Sequence, residues 1–331
     1  MASIEEFTLA NRVKTLRISG AWSAEAGAAI MHKTFDALEF GGQDFLPLAP
    51  HAEQIKWLWG LGDGSSVGLE ALQYLERVDA HGDAREPAFD WRQLPRLRSF
   101  SSTAAHFIKP ETLNHPALEL LDLNGLKAKN IGFLSAAAKL MALRLVQVPI
   151  QTLAGLEATP ALKELRLLHC SSLKDIAGLS HVTDLEILEL AKTPKIADIS
   201  AIYALHNLRL LYVDGRKARQ PDHCWLLQMP KLECAGLYIE TESIDWDIFA
   251  RLPRLYDLAF YSNHDFVAES DEAIIAKLSA HGKTVRSLRR FPKDRFPAFM
   301  IEFVPPADIA KPMPQHAYTI NMISQVWPGR A

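Results

Sequence analysis

The glycine-rich stretch GLGDGSS at Gly60–Ser66 has the composition of a loop whose backbone N–H groups hold phosphate. A loop of that kind also needs a following Lys and a strand–loop–helix setting. The sequence supplies neither, so the stretch reads as a turn. His169 beside Cys170 has the residue types of a base and a nucleophile, and Cys234 offers a second thiol. The surrounding pattern turns Cys170 inward, and no His or Asp frames Cys234 in the neighbouring stretches. Nearer the C-terminus, His264, Asp265, Asp271, Glu272 and His281 have acid–base character, but no spacing among them imposes convergence on a pocket. There is no H-E-x-x-H, no G-x-S-x-G and no G-x-G-x-x-G in the right setting. No metal, no cofactor and no catalytic residue is expected.

Composition narrows the partners. The chain has 331 residues, 48% of them hydrophobic, and a net charge of −3. That balance gives no electrostatic grip on nucleic acid or an anionic membrane. No run approaches the roughly 18 apolar residues that span a bilayer. The N-terminal MASIEEFTLANRVK is acidic where a secretory signal is basic, so no signal peptide is expected. Cys170, Cys224 and Cys234 are an odd number at no metal-binding spacing, which points to a reducing cytoplasm.

The elements that must position these residues come from the leucines. The phrase L-x-x-L-x-L, with other apolar residues allowed, occurs at Leu118/Leu121/Leu123, Leu140/Leu143/Leu145, Leu162/Leu165/Leu167, Leu185/Leu188/Leu190 and Leu208/Leu211/Val213. It continues at Leu232/Ala235/Leu237 and Leu255/Leu258/Phe260, fades upstream at residues 55, 75 and 97, and sharpens again at residues 13 and 35. Twelve starts result, 20 to 24 residues apart.

This pattern resembles the leucine-rich repeat family. Its period is similar to that of the short-repeat class seen in bacterial internalins and in a eukaryotic protein-phosphatase regulator. The resemblance implies an α/β solenoid, a horseshoe with parallel strands on the concave face. Short 3₁₀ or irregular returns would line the convex face. Apolar residues three apart in the returns, as in Leu173/Ile176/Leu179, suit 3₁₀ turns better than long helices. The expected organisation is an N-terminal extension over 1–12, about twelve repeats over 13–262, and a C-terminal cap over 263–331. A helix is expected over 23–33 with Ser23 as cap, another over 271–280, and strands over 284–289 and 298–304. In one respect the chain departs from the family, which places Asn, Cys or Thr just beyond the strand to bond loop backbone. Here that position reads Leu126, Val148, Cys170, Thr193 and Arg216. The loops must satisfy their backbone groups by other means.

With no chemistry identified, the outward strand positions carry the functional reading. One column runs Trp59, Asp79, Ser101, Asp122, Arg144, Arg166, Glu189, Tyr212, Gly236, Ala259. Within it Arg144 and Arg166, flanked by Asp122 and Glu189, are either a self-satisfied charge ladder or a pair of guanidinium groups offered to a partner. Tyr212, Tyr238, Tyr256 and Tyr261, with Asp214, cluster near the C-terminal repeats and are candidate interface anchors. Acidic and basic residues are nearly balanced over this face, which suits a protein partner and not a phosphate backbone. The expectation is a monomeric, non-catalytic protein binder of a bacterial cytoplasm, an immunity- or antitoxin-like protein or an adaptor. A secreted effector acting on a host protein, or an enzyme with its site in the C-terminal cap, stands as the alternative.

Overall fold

Alternation is what makes each L-x-x-L-x-L phrase a strand: its second and third leucines are two apart, so both point to one side of an extended chain. The computed structural model describes residues 2–9, 12–42, 44–60, 66–80, 89–260, 269–290 and 299–309. The chain divides into two compact units, Met1–Pro149 with Ala158–Ala161, and Ile150–Glu157 with Leu162–Ala331.

In the first unit β1 (Ser3–Thr8) pairs antiparallel with β2 (Lys14–Ser19), Ile4 opposite Ile18. No repeat phrase marks the segment that forms β1. Helix α1 (Ala24–His32) follows, and the Ser23 hydroxyl accepts from Ala26 N at 3.2 Å, the cap expected from the sequence. Then come β3 (Ala37–Gly41), β4 (Trp57–Trp59), β5 (Arg77–Ala80), β6 (Ser99–Ser102), β7 (Leu120–Asn124) and β8 (Ala142–Val146), each parallel to the one before. Leu16, Leu38, Leu58, Val78, Phe100, Leu121 and Leu143 stand directly opposite one another, all fully buried. The phrases at 55, 75 and 97, faintest in the sequence, thus hold the same register as the strong ones.

In the second unit β9 (Glu164–Leu168), β10 (Ile187–Ala191), β11 (Leu210–Gln220) and β12 (Cys234–Thr241) are parallel, followed by α2 (Trp246–Ala250) and β13 (Asp257–Phe260). Leu165, Leu188, Leu211, Ala235 and Leu258 form its inward row. The expected helix is α3 (Asp271–Ala280), capped by Ser270, and the expected strands are β14 (Val285–Arg290) and β15 (Phe299–Phe303). β15 runs antiparallel to β13 and sets Ile301 opposite Leu258, so the inward row ends against an apolar strand. β11 and β12 outrun the repeat phrase and pair again at Arg219/Glu240 after a register shift. Short 3₁₀ turns return the chain between strands in both units, as at Gly132–Leu134 and Ala177–His181. Among the described residues no helix is long and apolar enough to cross a membrane.

Two local devices stand in for the missing asparagines. The residue two beyond the last leucine of the phrase is left-handed in four repeats: Gly125, Gln147, His169 and Lys192, with φ of 81°, 55°, 57° and 55°. That turn aims a backbone N–H at the next strand, Gly125 N to Val146 O in the first unit and His169 N to Ala191 O in the second, both 2.8 Å. The second device is an Asx turn opening seven of the described returns. Asp44, Asp90 and Asn130 accept from the backbone N–H two residues on, and so do Asp175, Asp198, Asp222 and Asp245. Thr193 performs the family's ladder role, its hydroxyl bonding Leu190 O and Asp214 O, and the Cys170 thiol bonds Leu168 O at 3.7 Å. Leu126 and Val148 at the equivalent place are simply buried.

Leu188→Ala opens a cavity in the inward row and is expected to cost about 2–5 kcal/mol in chemical denaturation. Gly125→Ala and Gly68→Ala separate two kinds of glycine. A Cβ on Gly125 meets nothing nearer than 3.8 Å, so only the left-handed backbone is penalised, about 1 kcal/mol. A Cβ on Gly68 would lie 2.4 Å from Leu46 N, and that variant is expected to lose clearly more. Equal losses for the two would contradict this packing.

Candidate protein-binding surface

Fixing the leucines inward fixes the intervening residues outward, so the columns read from the sequence appear as aligned rows. In the first unit Arg17, Glu39, Asp79, Ser101, Asp122 and Arg144 pair within their row. Arg17 Nε lies 3.0 Å from Glu39, and Arg144 Nη1 donates to both carboxylate oxygens of Asp122 at 3.0 and 3.1 Å. The best-organised group surrounds Asp79, which is 3% exposed. It accepts from Trp57 Nε1 at 2.5 Å, Arg77 Nε at 2.7 Å and Ser101 Oγ at 2.7 Å. The Arg77 guanidinium stacks 3.9 Å over the Trp57 ring, and Trp57 meets Trp59 edge-on at 6.2 Å. Trp57, Trp59 and Arg77 remain half-buried. Sequence reasoning placed these residues on the face but did not select them. The signal was there, two tryptophans two residues apart with Arg and Asp one period later.

In the second unit Arg166 sits between Glu164 and Glu189, 2.5 Å from each, and all three are under 5% exposed. Burial pulls the guanidinium down, but the two carboxylates more than offset it and hold it above its ordinary value. Of the two readings of this column, the structure favours the self-satisfied ladder. Arg166 and Glu189 spend their charge on each other, and Arg144 spends its own on Asp122.

The tyrosines need a correction. Tyr212 is half-buried and its ring lies 4.9 Å from that of Tyr238. Tyr238 and Tyr256 are 6% and 4% exposed and Asp214 is 4% exposed, so these three are packed rather than displayed. Burial pushes the Tyr238 hydroxyl up to about 12, against a hydrogen bond with Tyr212 that lowers it. The cause is the row itself: Tyr212 faces Gly236, and Gly236 faces Ala259. Small neighbours leave room for the rings to lie down on the sheet. Tyr256 instead meets Cys234, whose thiol burial pushes up to about 12. Tyr261 lies outside the described residues.

The other chemical candidates are placed apart or already engaged. Cys170 is fully buried while His169 is exposed at its left-handed turn, so they do not act as a pair. His281 is engaged with Asp247 and Asp271 with Arg290. His264, Asp265 and residues 61–65 lie outside the described residues. Among the described residues no group of His, Cys, Asp and Glu has metal-holding geometry.

The first outward position of each strand carries a further pattern. In the first unit it reads Lys14, Asp36, Lys56, Glu76, Arg98, Glu119 and then the uncharged Met141, and in the second Lys163, Glu186, Arg209, Glu233 and then the uncharged Tyr256. Backbone hydrogen bonds set these residues side by side, as from Arg98 N to Glu76 O and from Glu119 N to Arg98 O. Over the charged members the sign alternates from strand to strand, with direct ion pairs at Arg98–Glu119 and Arg209–Glu233.

No protein-family model and no curated protein matches the sequence. Among solved structures the chain is similar to an internalin of Listeria monocytogenes, at 16% identity over 80% of this chain and 84% of that one, with a TM-score of 0.55. It also matches a leucine-rich repeat protein of Leptospira interrogans, at 13% identity over 71% and 74% of the two chains, with a TM-score of 0.46. An internalin C2 of Listeria monocytogenes matches at 17% identity over 64% and 80%, with a TM-score of 0.37. The first of these fixes the fold as a leucine-rich repeat solenoid of the short, internalin-like kind.

Two measurements check the burial described above. His223 is 1% exposed with its ring 5.0 Å from Phe249, and burial pushes it down to about 4. The fold therefore favours the neutral ring. The associated stability is complete above the ordinary pKa near 6.5 and is lost as pH falls from there toward 4, by about 3 kcal/mol at most. Denaturation midpoints between pH 4 and 7 should show this slope, and His223→Gln should flatten it; His115, also lowered by burial, adds a slope of the same sign. For the thiols, Cys224 is exposed while Cys170 and Cys234 are buried. One cysteine should react with a maleimide in the native protein and all three after denaturation; rapid labelling of Cys234 would contradict its placement.

Proposed function

We propose that the chain is a non-catalytic scaffold that binds a protein partner through the sheet face opposite its leucine core, the face that is concave in the repeat family. The observation that carries this reading is the Trp57–Trp59–Arg77 group locked onto Asp79. Tryptophan and arginine dominate binding energy at protein interfaces, and side chains already held in place lose less entropy on binding. The half-buried Tyr212 over Tyr238 is a second anchor of the same type. Charges on the face are mixed and largely paired, which supports specificity for a protein over attraction to a polyanion. Cys170 and Cys234, free thiols in the core, support a reducing compartment. On this reading the protein is a monomeric binder of a bacterial cytoplasm, in the manner of an immunity protein, an antitoxin or an adaptor.

Capture of the partner from the source cell, followed by affinity measurement on single variants, tests the proposal. Trp59→Ala or Tyr212→Ala is expected to weaken binding by on the order of 2 kcal/mol, about thirtyfold. Thermal unfolding should move little, because neither side chain belongs to the leucine rows. Unchanged affinity in both variants, with the fold intact, would exclude the sheet face as the binding surface.

A further inference from the structure

At the starts of β11 and β12 and the turn before β13, the second unit gathers a charged group that the repeat does not require. Glu233 is 1% exposed and accepts from Arg209 Nε at 3.0 Å, Arg209 Nη2 at 3.1 Å and Arg254 Nη2 at 3.4 Å. One guanidinium is enough to match a buried carboxylate. The second guanidinium therefore has capacity for another acid, and the two side chains stay 42% and 32% exposed. Glu186, on the neighbouring strand start, acts on Arg209 and engages part of its charge. Arg254 is therefore the group that reaches outward, and Asp308 meets it, with its Oδ2 2.5 Å from Arg254 Nη1.

Asp308 belongs to the segment after β15, where Ile309 N bonds Pro306 O at 3.0 Å. Ile309 packs to 9% exposure, while the Asp308 side chain remains 65% exposed. An exposed pair with a single ionic contact contributes little and exchanges readily. Arg209, by contrast, is fixed in two-pronged contact with a buried acid. On the same stretch Lys283 Nζ donates to Leu255 O at 2.6 Å, which ties the turn before β13 to the segment before β14; burial lowers the pKa of this ammonium to about 8. The arrangement is an arginine anchored on a buried acid and weakly holding a carboxylate from the chain itself.

We infer that Arg254, backed by Arg209 and Glu233, is a docking site for an acidic segment of a protein partner, and that Asp308 is its internal occupant, displaced when the partner's Asp or Glu arrives. This rests on the protein-binding reading above and adds the chemistry of one contact. An internal occupant lowers apparent affinity by the fraction of time it fills the site.

The probe is a fluorescein-labelled hexaglutamate peptide, followed by anisotropy on the full chain at low salt. Asp308→Asn should tighten binding about fivefold or more. Glu242→Gln, an exposed change of equal charge just beyond β12, should alter it less than about twofold, as a general field effect would. Adding Arg254→Gln to Asp308→Asn should abolish the gain, with thermal unfolding showing that the protein stays folded; Arg254→Lys, which keeps the charge, should restore part of it. Equal effects of Asp308→Asn and Glu242→Gln, a gain that survives Arg254→Gln, or no binding by any variant would each overturn the inference. A captured natural partner that binds wild type and Arg254→Gln equally would leave the protein-binding reading standing and remove this site.

Discussion

One leucine stacked on the next, strand after strand, is the contact on which the rest depends. Leu165, Leu188 and Leu211 each bury a whole side chain against the same residue type one strand away, at a spacing near 4.8 Å. A slip of one residue would send every leucine to solvent, so register is specified very strongly. That same register sets what the opposite face presents. Asp122 faces Arg144 and Tyr212 faces Gly236 because the leucines beside them face each other.

This dependence explains what was legible in the sequence. Strands at Leu58, Val78 and Phe100 could be located although their phrases are poor, because burial asks only for an apolar residue at the right interval. The 3₁₀ returns were legible from Leu173, Ile176 and Leu179 for the same reason. Segment 3–8 was not, since an antiparallel edge strand that half exposes itself carries no period. Nor was the burial of Tyr238 and Arg166. Which outward residue lies flat depends on how small its cross-strand neighbours are, as Gly236 and Ala259 show, and on whether a guanidinium finds acids on both sides. Those are pairwise facts across strands more than twenty residues apart.

Polar satisfaction follows a similar logic. The family's inward asparagine is largely missing, yet the turn backbone is not left unbonded. Left-handed residues at Gly125 and His169 aim N–H groups onward, and Asx turns from Asp175 to Asp245 fasten the returns. The burden has moved from a buried amide to exposed carboxylates and strained backbone. Thr193 bonds the backbone of the next strand from its side chain, Oγ1 to Asp214 O.

The alternating signs at the strand starts bear on how such a chain finds its fold. Repeats this alike offer a standing opportunity for error: a strand that skips its neighbour and pairs with the next one along would still bury leucine on leucine. Hydrophobicity cannot tell the two pairings apart. Charge can. Omitting the repeat of Glu186 would set Lys163 beside Arg209, and omitting that of Asp36 would set Lys14 beside Lys56. Like charges directly opposite are unfavourable, whereas each correct neighbour is of opposite sign. Along each charged run, Lys14 to Glu119 and Lys163 to Glu233, the column therefore penalises a skipped pairing to which the interchangeable cores are indifferent.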